Sequence, residues 1–241
     1  MKIFYDGINI QKFRSCYLVD GFTTNPTFFK SWNNTETPTE TPTETLTIKY
    51  KNLALEMLKY TDQKCVSFEV FADTPTEMIA EAREIASWDT SIYVKIPVIN
   101  TGGVFCGDVI SALQTDNIKL NITAVFTYQQ LNNIYDILKK DVPTIISIFA
   151  GRIADTGVNP KYIIKYAVEL FSTYNVQILW ASVREPYNIT EAKDCGCHII
   201  TVPDAILNKY LECNRKDLTN FSVETVKMFY DDAKKSGITI I

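Results

Sequence analysis

Short runs of β-branched and aliphatic residues alternate along this chain with longer stretches whose apolar positions recur at helical spacing. The pattern predicts eight strands, over 2–5, 21–24, 65–70, 91–96, 119–124, 144–149, 176–181 and 198–201. Most are nearly continuous apolar runs, such as TIISIF and VQILWA. A strand reads that way when both its faces are covered, as in a parallel sheet between helices. Helical spacing falls over 74–88, 129–139, 160–174 and 189–195. The first of these starts with Thr74 as N-cap, Pro75 in the first turn and Glu77 three residues after the cap; Asn159-Pro160 is a similar start. Strands alternating with helices in this number predict the α/β class and a single (β/α)8 TIM barrel over 1–241. An open, doubly wound sheet is the alternative. No G-x-G-x-x-G follows a strand, which argues against a dinucleotide site of that type.

Two stretches depart from the rhythm. Residues 34–47 read NTETPTETPTETLT, rich in Thr, Glu and Pro with no apolar face to bury. They are expected to form a solvated loop insertion, with a lid or partner contact as the functional alternative. Residues 219–236 are expected to form an extra C-terminal helix, because Val223, Val226, Phe229 and Tyr230 fall at helical spacing. That face must dock, either on its own barrel or on a neighbouring subunit.

Composition narrows the classes. The 241 residues are 46% hydrophobic and 22% charged, an ordinary globular balance. The net charge of −4, with no basic run, disfavours nucleic-acid binding. No apolar run approaches the ~18 residues of a transmembrane helix. The start, MKIFYDGINIQ, reaches an acid early and has no apolar core of a signal peptide. Reduced cysteines and a cytoplasmic location are therefore expected for Cys16, Cys65, Cys106, Cys195, Cys197 and Cys213. Cys195, Cys197 and His198 form C-x-C-H, but a zinc site needs about four ligands and a second cluster is missing, so no metal is expected. His198 is the only histidine, which argues against a Ser-His-Asp or Cys-His enzyme.

In a barrel of this kind the active site lies at the C-terminal ends of the strands. Those ends carry Asp6, then Thr24-Asn25-Pro26, Glu69, Lys95, Thr123, Arg152, Ser182 with Arg184, and Thr201 followed by Pro203. Singly, each has a plain reading: an Asn after a strand is usually a helix cap, and an Arg is usually solvated or ion-paired. Lys95 is different. Ile92, Val94 and Ile96 surround it and Pro97 follows, so it should be buried, where an ammonium is costly and a free amine is favoured. A buried amine in a barrel mouth suggests Schiff-base chemistry. Asp6 and Glu69 are then the available proton carriers, and Thr123 could hold a water between them and the substrate. Arginine forks at Arg152 and Arg184, with Ser182, could grip a phosphate.

These residues resemble the transaldolase family, in particular its short branch, which includes the fructose-6-phosphate aldolases. FYD with Asp6 is similar to the family's first-strand aspartate motif. GFTTNPTFF, residues 21–29, resembles its G-[VI]-T-T-N-P-[ST] signature, the most specific element. IYVKIPV, NITAVFT, SIFAGRIAD and ILWASVREP resemble the lysine strand, the N-[VI]-T strand, the arginine stretch after strand six and the A-S-[FI]-[RK] stretch. The matches run in order along almost the whole chain. Departures fall at Gly7, Ala154, Val183, Trp180 and Glu185, the last beside Arg184.

The resemblance implies a role for each matching residue. Lys95 would form the Schiff base and Asp6 would serve in proton transfer. Glu69 and Thr123 would hold the catalytic water. Asn25 and Thr24 would contact the sugar, and Arg152, Ser182 and Arg184 the phosphate. No metal or organic cofactor would be needed. Glu69 and Phe149 are the residues typical of transaldolases, where the aldolase branch tends to have Gln and Tyr. The implied reaction moves a dihydroxyacetone unit between sugar phosphates, with aldolase-type cleavage or a non-catalytic sugar-phosphate-binding barrel as alternatives. The short branch also implies a homo-oligomer, a pentamer or decamer.

Overall fold

The computed structural model describes residues 1–35 and 46–237. Eight parallel strands close into a barrel: β1 (Lys2–Asp6), β2 (Val19–Thr23), β3 (Cys65–Glu69), β4 (Ile92–Pro97), β5 (Leu120–Val125), β6 (Thr144–Ile148), β7 (Val176–Trp180) and β8 (Ile199–Pro203). Neighbours in sequence are neighbours in the sheet, and β8 pairs back onto β1, so the open-sheet alternative is excluded. The helices between and after them are α1 (Ile10–Phe13), α2 (Pro26–Thr35), α3 (Leu46–Leu58), α4 (Pro75–Ala86), α5 (Gly107–Thr115), α6 (Tyr128–Ile137), α7 (Ala150–Asp155), α8 (Lys161–Leu170), α9 (Asn188–Asp194), α10 (Asp204–Cys213) and α11 (Leu218–Ser236). Among the described residues no helix is long and apolar enough to cross a membrane.

The double burial expected of the strands has a simple geometry. Successive side chains point to opposite faces. Phe4, Ile145, Leu179, Ala181 and Ile199 point inward and fill the barrel, packed against Cys65, Tyr93 and Phe149. Their sequence neighbours, among them Phe22, Val66, Val94, Ile146, Ile178, Trp180 and Ile200, point outward under the helices and belong to the larger core. Gly21 is required by this filling: a Cβ there would sit 2.6 Å from the ring of Phe4.

Several elements differ from the sequence expectation. Helices α1, α2, α3, α5, α7 and α10 were not marked by spacing. The 4-residue α1 and 6-residue α7 offer too few turns for a period to register. Residues 34, 35, 46 and 47, expected in the loop insertion, belong to the ends of α2 and α3. Polar residues extend a helix whose earlier turns are already anchored, here by the Asn25 side chain accepting from the backbone N–H of Thr27 and Phe28. The rest of the insertion, 36–45, lies outside the described residues. The C-x-C-H stretch has a structural occupation: Cys197 Sγ contacts the Ile178 and Ile199 carbonyls, and His198 Nδ1 accepts from the Ile178 N–H. The expected terminal helix is present as α11, 19 residues long, and none of its side chains is buried.

Candidate active site

The C-terminal ends of the strands enclose a cavity of about 480 Å³. Strand register brings its reactive groups together. Glu69 on β3 pairs with Lys95 on β4, and both point inward at one level. Lys95 is 7% exposed. Its ammonium lies 3.1 Å from Glu69 Oε2 and donates to the Thr24 carbonyl at 2.9 Å. This carboxylate and this carbonyl offset the desolvation that the apolar strand would otherwise impose.

Asp6 ends β1, two strands from Glu69 and three from Lys95 around the barrel, in register with Thr23 of β2. Burial raises the Asp6 carboxyl above its usual range, while the Lys95 charge and a 2.7 Å hydrogen bond from Thr23 Oγ1 pull the other way. Thr123 comes from β5, where the register shifts between Ile122 and Val125 and Ala124 takes the left-handed φ of 58°. This bulge makes both Thr123 and Ala124 line the cavity. Among the described residues, the Thr123 hydroxyl is buried without a hydrogen-bond partner.

The far end of the cavity is cationic. Arg152 on α7 lies with its guanidinium 5.4 Å from the centre of the Phe149 ring. Ser182 and Arg184 come from the loop after β7, with Ser182 at a φ of 64°. Arg184 makes a two-toothed contact to Asp155, at 3.1 Å from Nε and 2.5 Å from Nη2. Those contacts hold the Asp155 carboxyl below its usual range. The carboxylate paired with Arg184 is therefore Asp155, not its sequence neighbour Glu185. Side-on pairing leaves the outer edge of the guanidinium for a second anion.

The structure thus gathers Asp6, Asn25, Glu69, Lys95, Thr123, Phe149, Arg152, Ser182 and Arg184 around one cavity. Thr24 stands behind the wall: its hydroxyl donates to the Ser67 carbonyl, and only its own carbonyl reaches Lys95. Asn25 both caps α2 and lines the cavity. Trp180 points outward into the helix layer, away from the cavity.

A buried polar floor escaped the sequence reading. Ser147 Oγ donates to Asn121 Oδ1 at 2.7 Å, and Asn121 Nδ2 donates to Ser67 Oγ at 3.0 Å. Thr23 and Thr201 also line the cavity. The signal was period two. Ser67, Asn121 and Ser147 each stand two residues before a residue already singled out, namely Glu69, Thr123 and Phe149, and so share its face.

Comparison with known proteins agrees with this geometry. The family model described as transaldolase/fructose-6-phosphate aldolase matches residues 3–240. A probable transaldolase of Streptococcus agalactiae serotype V is 31% identical over 240 residues, covering 98% of this chain and 100% of the relative. Another, from Thermoanaerobacter sp., is 29% identical and covers 100% of both chains. A probable transaldolase of Streptococcus equi subsp. zooepidemicus is 32% identical over 88% of this chain and 91% of its own. With a closed barrel, a buried lysine at its mouth and a match of this extent, the chain belongs to the transaldolase/fructose-6-phosphate aldolase family.

Proposed function

We propose that the protein is a Schiff-base transaldolase that moves a dihydroxyacetone unit from a ketose phosphate, such as fructose 6-phosphate, to an aldose phosphate. The observation that carries this reading is Lys95: a 7% exposed amine facing a polar cavity, with one carboxylate at 3.1 Å and a second, Asp6, lining the same cavity. A barrel that only bound sugars would have no use for a buried amine. The Lys95 nitrogen attacks the ketone carbon and water leaves, giving an iminium. The bond between C3 and C4 then breaks, its electrons pass into the enamine, and the C4 hydroxyl proton goes to Asp6. The acceptor aldehyde enters, the enamine attacks it, and Asp6 returns the proton to the new hydroxyl. Water then hydrolyses the iminium and frees Lys95.

Glu69 and Thr123 hold the water that shuttles protons at the lysine. Asn25 offers its side-chain amide to the sugar hydroxyls, since its carbonyl oxygen is committed to α2. Thr24 contributes through its carbonyl on Lys95 rather than through its side chain. Arg152, Ser182 and Arg184 take the phosphate. Phe149 favours transfer over cleavage, because it places no hydroxyl beside the enamine where a tyrosine would orient a water. No metal or organic cofactor enters this scheme. The protein works as a homo-oligomer, a pentamer or decamer, on the support of α11, whose Phe221, Val226, Phe229 and Tyr230 are all exposed.

The test is release of glyceraldehyde 3-phosphate from fructose 6-phosphate, with and without erythrose 4-phosphate. Release that requires the acceptor is expected, together with a borohydride-fixed adduct that peptide mapping places on Lys95. Release without acceptor would make the protein an aldolase. Absence of any adduct in the presence of ketose would overturn the Schiff-base reading.

A further inference from the structure

Asp6 is supported by a short chain of hydroxyls. Thr23 Oγ1 donates to Asp6 Oδ1 at 2.7 Å, and Thr23 Oγ1 and Thr201 Oγ1 are 2.5 Å apart. Register explains the meeting. Thr23 lies beside Asp6 on β2, and Thr201 on β8 lies beside Phe4, so the chain crosses the inner face of β1 just below the carboxylate. Thr23 is 2% exposed and Thr201 4%, and both stand in the cavity wall.

Counting protons fixes the polarity. A hydroxyl has one hydrogen to give. Thr23 gives its own to the Asp6 carboxylate, so in the contact with Thr201 it must accept, and Thr201 must donate. A donor that is itself accepting a hydrogen bond is polarised and donates more strongly. The chain therefore favours the ionised form of Asp6. It also ties down Oδ1, which leaves Oδ2 for the substrate. Both threonines are β-branched and stiff at χ1, which holds the chain in place.

We propose that Thr201 is a positioning residue for the reaction, acting on Asp6 through the hydroxyl of Thr23. The inference rests on Asp6 as the proton-transfer group in the function proposed above. The charged groups facing Asp6 are Lys95 of β4 and Glu69 of β3, with Arg152 and Arg184 across the same cavity. None of them is hydrogen-bonded to Thr201, so substitution there leaves the electrostatic influence of Lys95 and Glu69 on Asp6 in place.

The experiment compares the full-length enzyme with Thr201→Val, which keeps the shape and removes the hydroxyl, and Thr201→Ser, which keeps the hydroxyl. Asp6 is titrated by carbon-13 NMR, and kcat/KM is followed against pH. In Thr201→Val the Asp6 titration and the acid limb of the profile should both move upward by roughly half a unit to one unit. Activity on that limb should fall about three- to tenfold, in line with a limb displaced by that much. Thr201→Ser should titrate like the unaltered enzyme. An unmoved Asp6 titration in folded Thr201→Val overturns the proposal, and so does Thr201→Ser shifting as far as Val, because packing would then be the cause. A moved titration with an unmoved kinetic limb upholds the coupling between Thr201 and Asp6 and removes Asp6 from the proton transfer assigned above.

Discussion

Gly151 is the residue on which the shape of the arginine end of the cavity, proposed above to take the phosphate, depends. It sits in the first turn of α7, against the loop that carries Ser182 and Arg184. A Cβ at this position would lie 1.6 Å from the Ser182 carbonyl oxygen and 3.2 Å from Arg184 Cγ. An ordinary carbon–oxygen contact is about 3.3 Å, so Gly151→Ala must push the helix and the loop apart by roughly 1.5 to 2 Å. Arg152 rides on the helix and Arg184 on the loop, so the two guanidinium groups separate by a similar distance. A phosphate gripped by both would lose one charge-assisted contact, about 1.5 to 3 kcal/mol, or roughly ten- to hundredfold in KM. The assay is steady-state KM for a phosphorylated ketose beside an unphosphorylated one, with a circular-dichroism melt to show that the variant is folded. The phosphorylated donor should weaken by that factor and the unphosphorylated one hardly at all. Arg184→Gln should give the same split without the steric clash. Equal changes for both donors in both variants would refute the placing of the phosphate between these arginines.

Asp6→Asn should abolish turnover yet raise the melting temperature at pH 8. Burial places the folded pKa of Asp6 above its ordinary 3.8, so the stability tied to this group is full below that value and is lost as pH rises through the folded value. The gain from Asn should therefore shrink to nothing near pH 3; an equal gain at both pH values would sink this account. Phe149→Tyr should raise the share of substrate cleaved to free dihydroxyacetone, read as product release without acceptor, and an unchanged ratio would remove Phe149 from the control of outcome. Deleting the chain from Thr219 onward should reduce the sedimentation mass to that of a monomer, and an intact assembly would show that α11 is not its joint.

How much of this was legible beforehand depended on contrast between neighbours. Lys95 stood out because a charge amid Ile92, Val94 and Ile96 has few uses that an outer surface would explain. Asp6, Glu69 and Thr123 followed once the strands were placed, since barrel topology brings strand ends to one mouth whatever the loops do. Thr24 turns its hydroxyl to the Ser67 carbonyl rather than the cavity because adjacent residues on an extended segment point in opposite directions, and the sequence letters do not say which faces in. Asn25 carried two readings, cap and ligand, and geometry permits both, because one amide has two ends. Asp155 does not show in the sequence as a partner of Arg184, since the two stand 29 positions apart and are brought together only by the pairing of β6 with β7. Thr201 is legible as a strand-end polar group, but the hydroxyls at Ser67, Ser147 and Thr23 look like ordinary strand residues until closure of the barrel turns them inward.

The long terminal helix has a consequence for how the molecule behaves on dilution. Most helical stability in proteins comes from packing of an amphipathic face, and α11 buries no residue within its own chain. Its order must come from whatever covers Phe221, Val226, Phe229 and Tyr230. In the assembly proposed above the cover is another copy, so the helix obeys mass action while the barrel does not. Melting should then resolve into two transitions. The lower one, the loss of α11, should climb with protein concentration, and the upper one, the barrel, should stay where it is.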